Sequence, residues 1–127
     1  MRTHAAVIGL PLMAAPMFEA GRVTVTRCLR CGAADGSTLA RCRQCGSIEL
    51  ERIGVSGRGR LVSWTVVRRP SGPFAHRDAF AVALVDLEAG PRVTGNLEGW
   101  ERDPPLGATV GVVGDIDGIP LFAPEAP

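Results

Sequence analysis

The stretch RCLRCGAADGSTLARCRQCG, Arg27 to Gly46, holds all four cysteines of a 127-residue chain in two matching Cys-x-x-Cys-Gly units. The spacing, Cys28-x2-Cys31-x10-Cys42-x2-Cys45, puts each pair on a tight turn closed by glycine, Gly32 or Gly46. Such a turn aims two thiolates and several backbone N–H groups at one point, and two turns complete a tetrahedron. Glycine lets the closing residue take a left-handed backbone without steric cost. Four thiolates leave no open position for water or substrate, so the pattern predicts a closed, structural zinc site with one ion per chain. Iron fits the same four-thiolate geometry, and spacing alone does not separate the two. Arg27, Arg30, Arg41 and Arg43 would partly offset the negative charge of such a site.

Two other readings of the cysteines stay open. Paired disulfides need an oxidising compartment. A thioredoxin-like redox centre needs one Cys-x-x-Cys opening a helix in a βαβ unit, whereas here two copies lie among glycines and turn residues. The cysteine-bearing segment is too short to build a core of its own, so metal binding is expected to supply most of its folding free energy.

Beyond Gly46 the chain reads as strands. GRGRLVSWTVVRR, from Gly57, places Val62, Trp64 and Val66 on one face and Ser63 and Thr65 on the other. That predicts a half-buried strand over Arg60–Val67, with a bend or bulge at Gly57 and Gly59. Pro70–Asp78 is a loop by its Pro, Ser and Gly content. Ala79–Leu87 is apolar on both faces, which predicts a central strand. After the turn Glu88–Pro91, Arg92–Glu98 alternates, with Val93, Gly95 and Leu97 inward and Arg92, Thr94 and Asn96 outward. Gly99–Gly107 is a connection in which Pro104 and Pro105 bar a regular helix. ATVGVVGD forms a fourth strand, IDGI a hairpin turn and PLFAP a fifth strand. Five short strands with a longer link between the third and fourth predict the five-stranded Greek-key barrel called the OB-fold. The chain is therefore expected to be all-β: an arm over residues 1–21, a zinc ribbon over 22–50 and an OB-fold over 51–127.

Composition narrows the function classes. With 46% apolar residues the chain can bury a real core. All 14 basic residues are arginine, yet the net charge is only +1. Phosphate-driven nucleic-acid binding normally needs a clear basic excess. Two Trp and four Phe are also thin material for base-stacking platforms, the more so if Trp64 and Phe80 sit in the core. No apolar run is long enough to span a membrane. The start, MRTHAAVIGLPLMAAPMFEA, imitates a short secretory leader, but Pro11 interrupts its apolar run. A packed apolar arm, with one or two helical turns over 13–21, and a cytoplasmic setting are expected instead.

Three stretches together resemble one family: RCLRCG…RCRQCGSIELE, VSGRGRLVSWTVVRRP, and AVALVDLEAGPRVTGNLEGW followed by LGATVGVV. They are similar to the acyl-CoA-associated proteins, formerly a domain of unknown function, that join a rubredoxin-like zinc ribbon to an OB-fold. The resemblance spans about Phe18 to Phe122. It implies a small, non-catalytic subunit that docks on a thiolase-like (lipid-transfer-type) enzyme. Such complexes make or cleave carbon–carbon bonds on acyl-CoA thioesters in lipid, steroid or polyketide metabolism. It also implies Cys28, Cys31, Cys42 and Cys45 as metal ligands and carries over no catalytic residue. The stretch before the ribbon is shorter than the helical arm usual in the family.

The residues themselves add few candidates. His4 lies near the terminus; His76, beside Arg77 and Asp78, is read as a solvated loop histidine rather than an acid/base group. GRGR precedes a strand and is too short for a phosphate loop. Asp115 and Asp117 flank a hairpin and are read as turn residues. Among Arg58, Arg60, Arg68, Arg69, Arg77 and Arg92, most are expected to be solvated or ion-paired. Arg68, Arg69 and Arg77 share the first long loop and are the candidates for acyl-CoA phosphate contacts, because guanidinium binds phosphate bidentately. The alternative function is a single-stranded nucleic-acid-binding ribbon/OB-fold module, which both folds can support.

Overall fold

The computed structural model describes residues 18–19 and 21–125. The leader-like start, His4 and most of the segment expected to form a helical turn lie outside the described residues. The described residues form nine strands in order: β1 Phe18–Glu19, β2 Arg22–Cys28, β3 Ala34–Asp35, β4 Leu50–Ser56, β5 Gly59–Val67, β6 Phe80–Leu87, β7 Arg92–Leu97, β8 Thr109–Ile116 and β9 Ile119–Pro124. Among the described residues there is no α-helix, only 3-10 turns at Gly72–Phe74 and Trp100–Arg102. The fold is all-β.

The last five strands close into a barrel in the order β5-β6-β7-β9-β8. Every pairing is antiparallel except β7 with β9, where Asn96 and Leu97 run parallel to Leu121 and Phe122. The ring closes between Gly59–Arg60 of β5 and Thr109–Val110 of β8. This is the expected five-stranded OB topology. The long link Gly99–Gly107 is needed because β8 must cross to the far edge before β9 returns beside β7. Between β8 and β9, Asp117 and Gly118 both take positive φ (54° and 82°), the hallmark of a tight two-residue turn whose twist suits a hairpin. Asp115 Oδ2 fastens it by accepting from the Gly118 N–H at 2.8 Å.

Alternation along each strand fills the barrel. Ala81, Ala83, Val85 and Leu87 of β6 point inward, with Val93 and Leu97 of β7, Val110 and Val112 of β8, and Phe122 of β9. Phe122 is fully buried, and the room for its ring comes from Gly95. A methyl on Gly95 would stand 2.7 Å from a ring carbon of Phe122. In β5 the register breaks between Leu61 and Ser63. Val62 is therefore the bulged residue, and the inward set is Leu61, then Trp64 and Val66. The bulge thus falls at Val62 and not at Gly57 or Gly59, and the inward Val62 is corrected accordingly: one extra residue resets the period of two.

The cysteine-bearing sheet packs on the barrel through β2. β2 pairs with β1, β3 and, along its whole length, β4. Val23 and Val25 lie opposite Val55 and Ile53, and both valines belong to the same buried cluster as the barrel residues. Gly57 ties the two parts: its N–H donates to Gly21 O at 2.8 Å, and its carbonyl accepts from Val112 N–H at 3.1 Å. The expected ribbon boundary at residue 50 thus falls at the first residue of β4, a strand that completes the ribbon sheet.

Candidate metal centre

The opposite face of β2 builds the cysteine site. Thr26 is buried and its hydroxyl donates to Ser37 O at 2.9 Å, folding the loop after β3 back over the strand. Cys28 ends β2 on that same face and is 1% exposed. Arg27, on the other face, meets its ladder partner Glu51 in an ion pair, Nε to Oε2 2.9 Å. Each Cys-x-x-Cys unit is closed by a glycine N–H, Gly32 to Cys28 O at 3.0 Å and Gly46 to Cys42 O at 2.9 Å. Their φ values of 78° and 77° are the left-handed conformation that the sequence reserves for glycine there.

The two turns bring four sulfurs together. All four lie within 4.8 Å of one another, with Cys28–Cys45 and Cys31–Cys42 at 3.6 Å. A regular tetrahedron of zinc–sulfur bonds has edges of about 3.8 Å, so the cluster has the size a four-coordinate ion requires. Backbone N–H groups point at the sulfurs: Arg30 and Cys31 at Cys28 Sγ, both 3.4 Å, and Gln44 at Cys42 Sγ, 3.3 Å. The Cys31 N–H, helped by that of Arg30, pulls the Cys28 thiol down to about 6 despite its burial. The N–H groups of Cys45 and Gln44 lower Cys42 in the same way. For Cys31 the Ala33 N–H acts downward, but the neighbouring thiols and burial win and push it up to about 11. Two thiolates form readily and then resist a third, which a cation at the centre would relieve. The four cysteines can hold a metal ion, and their chemistry fits a soft or borderline one.

The candidate phosphate contacts lie elsewhere. Arg68 and Arg69 leave β5 exposed, the Arg68 guanidinium 5.9 Å from the Trp100 ring. Arg77 is turned inward. Its Nη2 donates to Asn96 Oδ1 at 2.8 Å, and its guanidinium lies 4.0 Å from the Phe80 ring centre. Asn96, expected to face solvent, is only 4% exposed because Arg77 folds over it, and its Nδ2 donates to Ala81 O at 3.2 Å. Phe80 is outside the barrel core, half-buried beneath Arg77 and 5.9 Å from Phe74. Trp64 packs against the core, half-buried, and donates to Pro104 O at 3.2 Å.

His76 is exposed and lies 3.3 Å from Asp117 in the β8–β9 turn. Arg58 bridges Glu88 and Glu125, and Arg92 pairs with Asp86, as ion-paired barrel arginines would. Among the described residues the four cysteines are the one grouping of ligand atoms close enough to share an ion. No helix among them is long and apolar enough to cross a membrane. Sequence reading missed the β2/β4 pair, although the Val23-x-Val25 and Ile53-x-Val55 alternations were its signal.

Comparison with known proteins converges on one family. Residues 53–115 match the family described as ChsH2, C-terminal OB-fold domain. A DUF35 domain-containing scaffold protein of Pyrococcus furiosus is 41% identical over 62 residues, 49% of this chain and 46% of its own. The benzoylsuccinyl-CoA thiolase subunit BbsA of Thauera aromatica is 31% identical over 102 residues, 76% of this chain and 69% of its own. Among solved structures, a chain of the Ltp2-ChsH2(DUF35) aldolase superposes with a TM-score of 0.65 at 29% identity, covering 81% of this chain and 84% of that one. The chain spans about half the length of the archaeal scaffold protein. With its closed barrel and four-cysteine ribbon, the chain belongs to the DUF35 family, in the group typified by the ChsH2 C-terminal OB-fold domain.

Proposed function

We propose that the chain is a non-catalytic accessory subunit that docks on a thiolase-like, lipid-transfer-type enzyme acting on acyl-CoA thioesters. The observation that carries this reading is the shared architecture with two named subunits. One belongs to a thiolase and the other to an aldolase, and each aligns over three quarters or more of this chain. The enzymes named there join or split carbon–carbon bonds, so the partner would form such bonds or cleave them by thiolysis or retro-aldol reaction. Lipid, steroid and polyketide precursors are the substrate classes of this reading.

Cys28, Cys31, Cys42 and Cys45 would ligate one structural zinc per chain. When bound, the ion cross-links the two turns and neutralises their thiolates; with all four positions taken by sulfur it offers none to a substrate. Iron would be held by the same atoms. Arg68, Arg69 and Arg77 would offer guanidinium groups to the phosphates of CoA, Arg68 and Arg69 from exposed positions and Arg77 after leaving Asn96. On this reading the chain works in the cytoplasm, where thiols stay reduced and available to a metal.

The test is reconstitution. The thiolase-like protein of the same organism is assayed on acyl-CoA thioesters alone and after co-expression with this chain. The reading requires the turnover or the solubility of the partner to depend on the chain, and the chain alone to be inactive. Turnover by the isolated chain, or tight binding of an oligo-dT strand at moderate salt with no effect on the partner, would refute it.

A further inference from the structure

The four cysteines divide into two buried sulfurs and two that solvent reaches. Cys28 and Cys42 are 1% and 7% exposed, whereas Cys31 and Cys45 are exposed residues. Both exposed cysteines line one open hollow of about 400 Å3, together with Arg30, Gly46 and Ser47. A small polar oxidant entering that hollow meets one cysteine of each Cys-x-x-Cys unit without any unfolding of the ribbon.

Contacts within the chain decide which sulfur answers. The two sulfur–sulfur contacts at 3.6 Å both run between the units, Cys28 with Cys45 and Cys31 with Cys42. Inside each unit the buried sulfur faces the backbone of its own turn. Cys28 Sγ accepts from the Arg30 and Cys31 N–H groups, and Cys42 Sγ from that of Gln44. Protein contacts hold the two units face to face. Cys28 ends β2, and the segment leading to Cys42 is tied back by the Thr26–Ser37 bond at 2.9 Å and the Asp35–Arg43 ion pair at 3.3 Å. In that segment Gly36 packs so closely on Arg92 O of β7 that no side chain fits there. Each exposed sulfur therefore has the buried sulfur of the opposite unit as its neighbour. Closing such a contact to a disulfide of about 2.05 Å needs only side-chain rotation.

We propose that the cysteine cluster is a peroxide-responsive redox site that oxidises crosswise, Cys28 to Cys45 and Cys31 to Cys42. Hydrogen peroxide transfers one oxygen to the thiol of Cys31 or Cys45, giving a sulfenic acid and one water. The buried thiol of the opposite unit attacks that sulfur; the S–O bond breaks and a second water leaves with the thiol proton. Each disulfide thus costs two thiols and one peroxide, and a dithiol reverses it. The two bridges cross-link the turns and remove all four sulfurs from metal binding, so oxidation releases an ion held there while the ribbon stays folded. In a reducing compartment, disulfides of this transient, sensing kind are the ones that occur. The inference concerns the cysteine site alone and is independent of the proposed partner.

The experiment treats the wild-type chain, as purified, with hydrogen peroxide, blocks the remaining thiols by alkylation and cuts with trypsin. Cleavage after arginine puts the four cysteines in four peptides, Cys28–Arg30, Cys31–Arg41, Cys42–Arg43 and Gln44–Arg52, so mass spectrometry distinguishes every pairing. The intact chain should become lighter by about 4 Da, the mass of the hydrogens lost from four thiols. Metal held by the chain should be released in step. Two linked products should appear, Cys28–Arg30 with Gln44–Arg52 and Cys31–Arg41 with Cys42–Arg43. Dithiothreitol should then restore the thiols and metal uptake. Bridges within a unit, or between Cys28 and Cys42, overturn the crosswise pairing. Sulfinic or sulfonic acid at Cys31 or Cys45 in place of disulfides overturns the redox role, as do four thiols that survive a peroxide excess able to oxidise free cysteine.

Discussion

Cys28 lies directly opposite Leu50 at the last rung of the ladder between β2 and β4. Five residues earlier in the same strand, Val23 is packed into the barrel core at 1% exposure. One strand therefore links the first thiol of the metal site to the apolar centre of the molecule. Hydrophobic burial stabilises the base of the ribbon, and a metal ion held by the four cysteines would stabilise its tip.

That division predicts what metal removal does. Stripping the ion with a strong chelator under reducing conditions should melt the turns Leu29–Cys31 and Arg43–Ser47 and leave β2, β4 and the barrel folded. Hydrogen exchange reads this directly: protection should vanish at Gly32 and Gly46 and persist at Val25 and Val85. Loss of protection at Val85 as well would mean that the ion holds the whole chain together.

Gly95 and Phe122 make a second, sharper test of the barrel. Gly95→Ala would drive a methyl against the Phe122 ring and should cost about 1–3 kcal/mol by overpacking. Phe122→Ala removes a fully buried ring and should cost about 3–5 kcal/mol. Combining them should cost less than the sum, because each relieves the crowding the other creates. Strict additivity in denaturant unfolding would contradict the contact.

Asn96 and Arg77 form a polar lock between the β5–β6 loop and β7. Asn96→Ala leaves a guanidinium donor without its acceptor and should cost about 1–3 kcal/mol. Arg77→Ala in addition should add little, since the lost partner is already missing. A double-mutant cycle with no coupling would show that the loop is held by Phe74 and Phe80 alone.

Acid should weaken the molecule partly through Asp86. The Arg92 guanidinium, hydrogen-bonded to it at 2.6 Å, holds its carboxyl below the usual carboxylate range. A depressed folded value means the contribution is present above the unfolded value of about 3.9 and fades as pH falls through the folded one. The melting temperature of Asp86→Asn should therefore lie slightly below the wild type at neutral pH and converge with it as pH falls through the folded value. Both side chains are half-exposed, so the gap is small and should shrink with salt. A gap that widens on acidification would contradict the assignment.

The barrel and the cysteine site were legible because each rests on a local signal. An apolar run named β6, alternation named β7, the strands either side of the IDGI turn were read as β8 and β9, and the paired Cys-x-x-Cys-Gly units named the four sulfurs that the structure brings together. What escaped depends on tertiary context. β2 carries Val23, Thr24, Val25 and Thr26 all buried, because the barrel covers one face and the loop after β3 covers the other. The Val–Thr alternation of β2 signals a strand, but it marks the threonine face as solvated and does not report that this face is buried too. The bulge at Val62 and the inward turn of Arg77 onto Asn96 are likewise set by neighbours distant in sequence.

Native mass spectrometry of the chain co-expressed with its thiolase-like partner tests the central claim most directly, because one spectrum reports both assembly and metal. The account predicts a hetero-oligomer in which every copy of this chain carries one zinc ion. A chain that flies alone beside an intact partner, or one that enters the complex with its four cysteines oxidised and metal-free, would contradict it.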